Sequence, residues 1–176
     1  MVHAWPLSKA LCLAAIAAVP LIGGQAAVQP PETAAPAGIT ASPFIGAWEL
    51  DVTRMPDTYG PPPKKVVYTF SDAGAGQWQA TIDITAPDGG VRHVALRYQL
   101  DGRAAESSGD TYEGHQAALH APAPNVLVMG IARDKRPASV RTYVISPNGQ
   151  NMTEAAADVD ASGTPFVRLF HYKRVR

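Results

Sequence analysis

From Trp48 to Leu100 the chain alternates apolar and polar residues with a period of two, and that pattern leaves few folds open. Trp48, Leu50 and Val52 alternate with Glu49, Asp51 and Thr53, and Val66, Tyr68 and Phe70 with Val67, Thr69 and Ser71. Trp78, Ala80, Ile82 and Ile84 alternate with Gln79, Thr81, Asp83 and Thr85, and Val94, Leu96, Tyr98 and Leu100 with His93, Ala95, Arg97 and Gln99. Successive side chains of a strand point to opposite faces, so each run reads as a strand with one dry face. Asp72-Ala-Gly-Ala-Gly, Asp88-Gly89-Gly90, Asp101-Gly102, Asn148-Gly149 and Asp160-Ala-Ser-Gly163 supply residues that tolerate positive φ in tight hairpins. Further strands are expected near 111–120, 125–134, 138–146, 151–159 and 165–174, and no ten-residue apolar stripe of helical period occurs. A meander of about nine or ten strands is too long to stay flat, and closing it removes its exposed edges. The expected fold is all-β: a single antiparallel up-and-down barrel of about 8–10 strands.

The regular texture begins at Phe44, and what precedes it differs in kind. Lys9 is the only charge before LCLAAIAAVPLIGG, and Gly24-Gln25-Ala26 places small residues where a signal peptidase cuts. The apolar run falls short of the ~20 residues of a membrane-spanning helix. The expectation is a cleaved signal peptide over 1–26, no stable membrane anchor, and an exported protein, periplasmic or secreted. Residues 27–43, Ala- and Pro-rich with one charge, read as a disordered leader ahead of a barrel domain over 44–176. Cys12, the only cysteine, lies in the signal segment, so the mature chain has no thiol for a disulfide, a metal or a nucleophile. Removing Lys9 takes the formal charge from 15 − 15 = 0 to 14 − 15 = −1, and a pI of about 7.0 argues against a nucleic-acid partner.

Phe44-Ile-Gly46-Ala-Trp48-Glu-Leu50 resembles the first strand of the calycins, the group of lipocalins and intracellular fatty-acid-binding proteins. The resemblance implies that Trp48 plugs one end of the barrel, that Gly46 lets another backbone approach, and that a late basic residue packs over the indole. Lys173 is the residue placed in that role. Phe166-Val-Arg168-Leu-Phe170-His-Tyr172-Lys173 is similar to the last strand of fatty-acid-binding proteins, where Arg-x-Tyr precedes a basic residue. Phe44 to Lys173 spans 130 residues, close to the length of that family. The chain also resembles small exported bacterial lipocalin-like proteins. Two departures stand out. The helical lid that fatty-acid-binding proteins insert after the first strand is replaced by RMPDTYGPPPKK, whose four prolines forbid a helix. Phe170 interrupts the Arg-x-Tyr pattern, so one of the two groups that hold a carboxylate is missing.

Arg168 shares a face with Phe166, Phe170 and Tyr172, which places a charge inside the barrel. A buried charge needs a partner. Two partners are open: an acidic ligand headgroup, or Trp48 and the carbonyls at the barrel's end. Tyr68, Trp78 and Tyr98 fall on dry faces and either line a cavity or belong to ordinary core. His93, His115, His120 and His171 have no spacing that would grip a metal, and no Gly-x-Ser-x-Gly elbow or phosphate loop occurs, so no metal, cofactor or catalytic residue is expected. The resulting expectation is a barrel holding a small hydrophobic or amphipathic molecule, with Arg168, Phe170, Tyr172, Tyr68, Trp78 and Tyr98 as ligand contacts. Two other readings stay open. A cofactor-free isomerase or cyclase needs a His, Asp or Tyr in the cavity with a polar partner. A solid envelope accessory or protein-binding module needs an interior filled by large side chains. A cavity under about 300 Å³ without a bound molecule would count against the ligand reading.

Overall fold

Ten strands in sequence order, each hydrogen-bonded to the next, make one antiparallel sheet that closes on itself. The computed structural model describes residues 39–175; the expected signal peptide and residues 27–38 of the leader lie outside them. The strands are β1 (Gly46–Leu50), β2 (Lys65–Gly74), β3 (Gln77–Thr85), β4 (Val91–Tyr98), β5 (Asp101–Gly109), β6 (Gln116–Ala123), β7 (Val126–Arg133), β8 (Arg136–Ile145), β9 (Asn151–Val159) and β10 (Pro165–Arg174). β1 closes the barrel by pairing on both sides, with Trp48 opposite Tyr68 of β2 and Arg174 of β10. The inward residues are the apolar members of each alternation: Trp48 and Leu50, Val66, Tyr68 and Phe70, Trp78 and Ala80, Leu96 and Tyr98 are all buried.

Two sequence expectations shift. Residues 102–110 carried no predicted strand, yet β5 runs through DGRAAESSG. Its inward positions Ala105 and Ser107 are small and Ala104, Glu106 and Ser108 beside them face outward, so it shows no apolar period, and it meets β4 through only Val94–Gly109, Ala95–Ser108 and Leu96–Ser107. The strand placed near 111–120 starts instead at Gln116, after a turn in which the Gly114 amide donates to the Thr111 carbonyl. At the other boundary the barrel begins before Phe44. Ile39–Ala41 form a 3-10 turn, Ile39 packs on the core, and the Pro43 carbonyl accepts a hydrogen bond from Arg174.

Among the described residues there is no α-helix. The connection from β1 to β2 contains two single 3-10 turns, Val52–Arg54 and Asp57–Tyr59, in place of a helical lid. Pro56 precedes the second turn, and Pro61-Pro62-Pro63 lead straight into β2, where their fixed φ and missing amides suit extended chain.

Candidate ligand-binding site

The two ends of the barrel differ. At the end formed by the β2–β3, β4–β5, β6–β7 and β8–β9 turns, the interior is filled by Phe44, Trp48, Phe70, Leu127, Ile145 and Met152, each 2% exposed or less. Trp48 is fully buried and its indole Nε1 donates to the Phe44 carbonyl at 2.9 Å. Over the ring lies the Arg174 guanidinium, 4.1 Å from the centroid. That guanidinium also donates to the carbonyls of Gly149 (2.8 Å), Ile45 (2.8 Å) and Pro43 (2.5 Å), so its charge is spread over three chain segments. Gly46 makes room for it: a Cβ at this residue, whose φ is +126°, would stand 2.6 Å from Arg174 Nη1. The close approach at Gly46 is therefore by a side chain, not a backbone.

Lys173 does not cover the indole. It points outward and pairs with Asp51 at 2.8 Å, because parity along β10 sends 173 to the opposite face from Tyr172 and Arg174. With the Thr53 hydroxyl, that ammonium holds the Asp51 carboxyl down at about 2.

The opposite end is not filled. A cavity of about 260 Å³ runs inward from the β1–β2 connection, with Met55 and Pro63 at its mouth. Its walls are mostly aliphatic, with Leu50, Val66, Ile82, Leu96, Met129 and Ile131 facing it, and Ala80, Ala117 and Gly114 leave the room. Tyr59 straps the mouth to β10. Its hydroxyl accepts the Leu169 amide at 2.9 Å and its ring lies 5.6 Å from that of Phe170.

One side of the cavity is polar, and every charge there has a partner from the chain itself. Glu154 of β9 is 1% exposed. Its Oε1 accepts from Arg141 Nη1 at 3.1 Å and its Oε2 accepts the Tyr172 hydroxyl at 2.7 Å. The same Arg141 nitrogen donates to the Tyr68 hydroxyl at 3.2 Å, which also accepts from Tyr143 at 3.4 Å. Arg141 Nη2 donates to Glu113, which lies half-exposed at the rim. The second cation on the wall, Arg92, pairs with Asp110 at 2.7 Å. Burial pushes the Glu154 carboxyl above its ordinary value and Glu113 adds to this, against the pull of Arg141 and the Tyr172 hydroxyl. Burial likewise pushes the Tyr68 and Tyr172 hydroxyls up, so both stay protonated donors at neutral pH.

Of the residues expected to contact ligand, Tyr68, Phe170 and Tyr172 line this cavity. Trp78 and Tyr98 do not; they stack on each other at 6.3 Å on the buried faces of β3 and β4. Arg168 is neither on the cavity wall nor against Trp48. Its guanidinium lies 5.1 Å from the Tyr59 ring and 5.0 Å from the Phe166 ring. The residues that sequence reasoning passed over are Arg141, Glu154 and Arg174. The same parity argument used for Arg168 reaches them, since Arg141 shares its face with Tyr143 and Ile145, and Glu154 with Met152.

A closed ten-stranded up-and-down barrel, plugged by a Gly-x-Trp strand at one end and hollow toward the other, is a calycin-like fold. Among solved structures, a mutant of the fluorescent protein UnaG matches with a TM-score of 0.52 and 13% identity, over 76% of this chain and 97% of that one. The likeness is one of fold. No protein-family profile matches the sequence, and no curated protein matches it significantly.

Proposed function

We propose that the mature chain is exported and holds a small hydrophobic or amphipathic molecule inside the barrel, against Tyr68, Phe170 and Tyr172. The cavity carries this reading: it is apolar over most of its wall, with a few polar groups on one side, the usual make-up of a small-molecule site. At about 260 Å³ it lies just below the ~300–1,000 Å³ of pockets for drug-sized ligands. That size selects a small occupant, and it makes the presence or absence of a bound molecule decisive. Organic extraction of protein purified from its own cells should yield one small, largely apolar compound in near-stoichiometric amount; an empty protein would refute the reading. Export rests on the first 26 residues, and a mature N-terminus at Ala27 is the expected result of sequencing the purified protein.

A specific observation also favours a second reading, a cofactor-free enzyme of isomerase or cyclase type. Tyr68, Tyr172 and Glu154 sit in the cavity wall with polar partners, which an aliphatic interior would have denied to proton transfer. Under that reading the extracted compound, returned to the protein, is converted, and Glu154→Gln retains binding while losing turnover. Recovery of the compound unchanged would remove the enzyme reading. The cavity weighs against a solid barrel acting only through its outer surface.

A further inference from the structure

We propose that the cavity takes an uncharged ligand and rejects carboxylates, because both cationic side chains on its wall are already neutralised by carboxylates of the chain itself. The inference rests on the ligand-binding reading above and names its ligand class.

Among the described residues lining the cavity the charged groups are Arg92, Arg141, Asp110, Glu113 and Glu154. Arg92 is held by Asp110, and Arg141 by Glu113 and Glu154 together. Arg168, the charge expected to anchor an acidic headgroup, is stacked between two rings and is not on this wall. An anionic ligand would therefore either displace a resident carboxylate or settle beside both of them at Arg141 Nε, which has no hydrogen-bond partner among the described residues. Glu154 is the worse one to move, since at 1% exposure it has no route to water and both its oxygens are engaged. A displaced buried charge is a strong penalty. Leaving both glutamates in place would instead add a third negative group around one guanidinium, and a built-in repulsive element of this kind discriminates more sharply than lost attraction.

A cationic ligand meets the opposite objection. Arg141 itself stands in the wall, and its two glutamates are already spent on it. What the polar side still offers an uncharged acceptor is the proton of the Tyr68 hydroxyl, which only accepts within the cluster, and the buried, unpartnered Arg141 Nε; the Tyr172 proton is already donated to Glu154. The occupant is thus an apolar body ending in an uncharged polar group such as an alcohol, ketone or ester. At ~30 Å³ per water-sized volume, 260 Å³ holds on the order of ten non-hydrogen atoms.

The test uses three probes of one chain length, 1-octanol, octanoate and octylammonium, titrated at pH 8 against stripped protein and against Glu113→Gln. Any apolar cavity prefers the alcohol to its carboxylate, so the wild-type order is necessary but not sufficient. The deciding quantity is the octanoate-to-octanol affinity ratio. Glu113→Gln frees Arg141 Nη2 and should raise that ratio at least tenfold. Octanoate or octylammonium binding wild type as tightly as octanol would overturn the proposal, and so would an unchanged ratio in the variant. Failure of all three probes to bind would instead overturn the ligand-binding reading on which it rests. Glu113 is half-exposed at the rim, and should Glu113→Gln not fold, Glu113→Ser frees the same Arg141 nitrogen and is held to the same tenfold change in ratio.

Discussion

Arg174, rather than Lys173, should be the basic residue on which the plugged end depends, and truncating each in turn separates the two. Arg174→Ala removes three hydrogen bonds from a guanidinium to the carbonyls of Pro43, Ile45 and Gly149, and a stacking contact with Trp48. Bonds to a charged partner contribute about 1.5–3 kcal/mol each, so simple addition gives a ceiling of about 4.5–9 kcal/mol. The three carbonyls are only partly buried, and water reaches them once the side chain is gone, which recovers about half of that sum. Adding about 1 kcal/mol for the partly desolvated cation over the indole gives roughly 3–5 kcal/mol. Lys173→Ala removes an ammonium that stands mostly in water and leaves the less exposed Asp51 carboxylate its Thr53 hydroxyl, so it should cost about 1 kcal/mol, well below the Arg174→Ala loss. Arg174→Lys keeps the charge but not the fork, and should recover less than half of the loss. Urea unfolding of stripped protein is the assay, since a bound ligand would raise every midpoint by mass action. An Arg174→Ala cost under about 1 kcal/mol, or an equal cost for Lys173→Ala, would mean that Arg174 does not hold the plugged end together.

Three further outcomes follow from the same geometry. Trp48→Ala empties a fully buried indole site and should cost roughly 3–5 kcal/mol in the same unfolding assay; a negligible shift would deny Trp48 its role as plug. Arg168→Met exchanges stacking on Tyr59 and Phe166 for packing of similar length, so it should cost no more than about 1 kcal/mol and leave octanol affinity unaltered in titration. A large loss of affinity would return Arg168 to the ligand site. Glu154 has a folded pKa raised above its ordinary 4.5 by burial, so its contribution is favourable below that value and is lost as pH rises through the folded pKa. Urea midpoints from pH 4 upward should therefore fall more steeply for wild type than for Glu154→Gln, and parallel profiles would contradict the burial effect.

The architecture was legible because a barrel repeats one rule ten times. Alternation, hairpin glycines and the absence of helical period lead to the closed meander directly, and β5 escaped because small inward residues leave no apolar signal. The site was legible only in part. Parity correctly separates Tyr172 from Lys173, and carried one residue further it reaches Arg174; the family pattern, which ends on the lysine, drew the expectation away from it. Arg141 and Glu154 each look like an ordinary charge in an apolar strand. Only the three-dimensional register, which sets Glu154 between Tyr143 and Phe170 on the neighbouring strands, turns them into one buried cluster. Trp78 and Tyr98 carry the converse lesson. An inward aromatic lines a cavity or fills a plug according to its height in the barrel, and alternation says nothing of height.

Occupancy of the barrel's hollow end can be read by comparing native and denatured masses of the purified protein beside Ala117→Phe. Ala117 is buried at the cavity wall, and a benzyl group there projects into the space that the ligand would fill. Wild type should carry one extra small mass that vanishes on denaturation, and the variant, folded by circular dichroism, should carry none. A wild type of bare polypeptide mass, or the same adduct on both proteins, would mean that the hollow end is not a binding site.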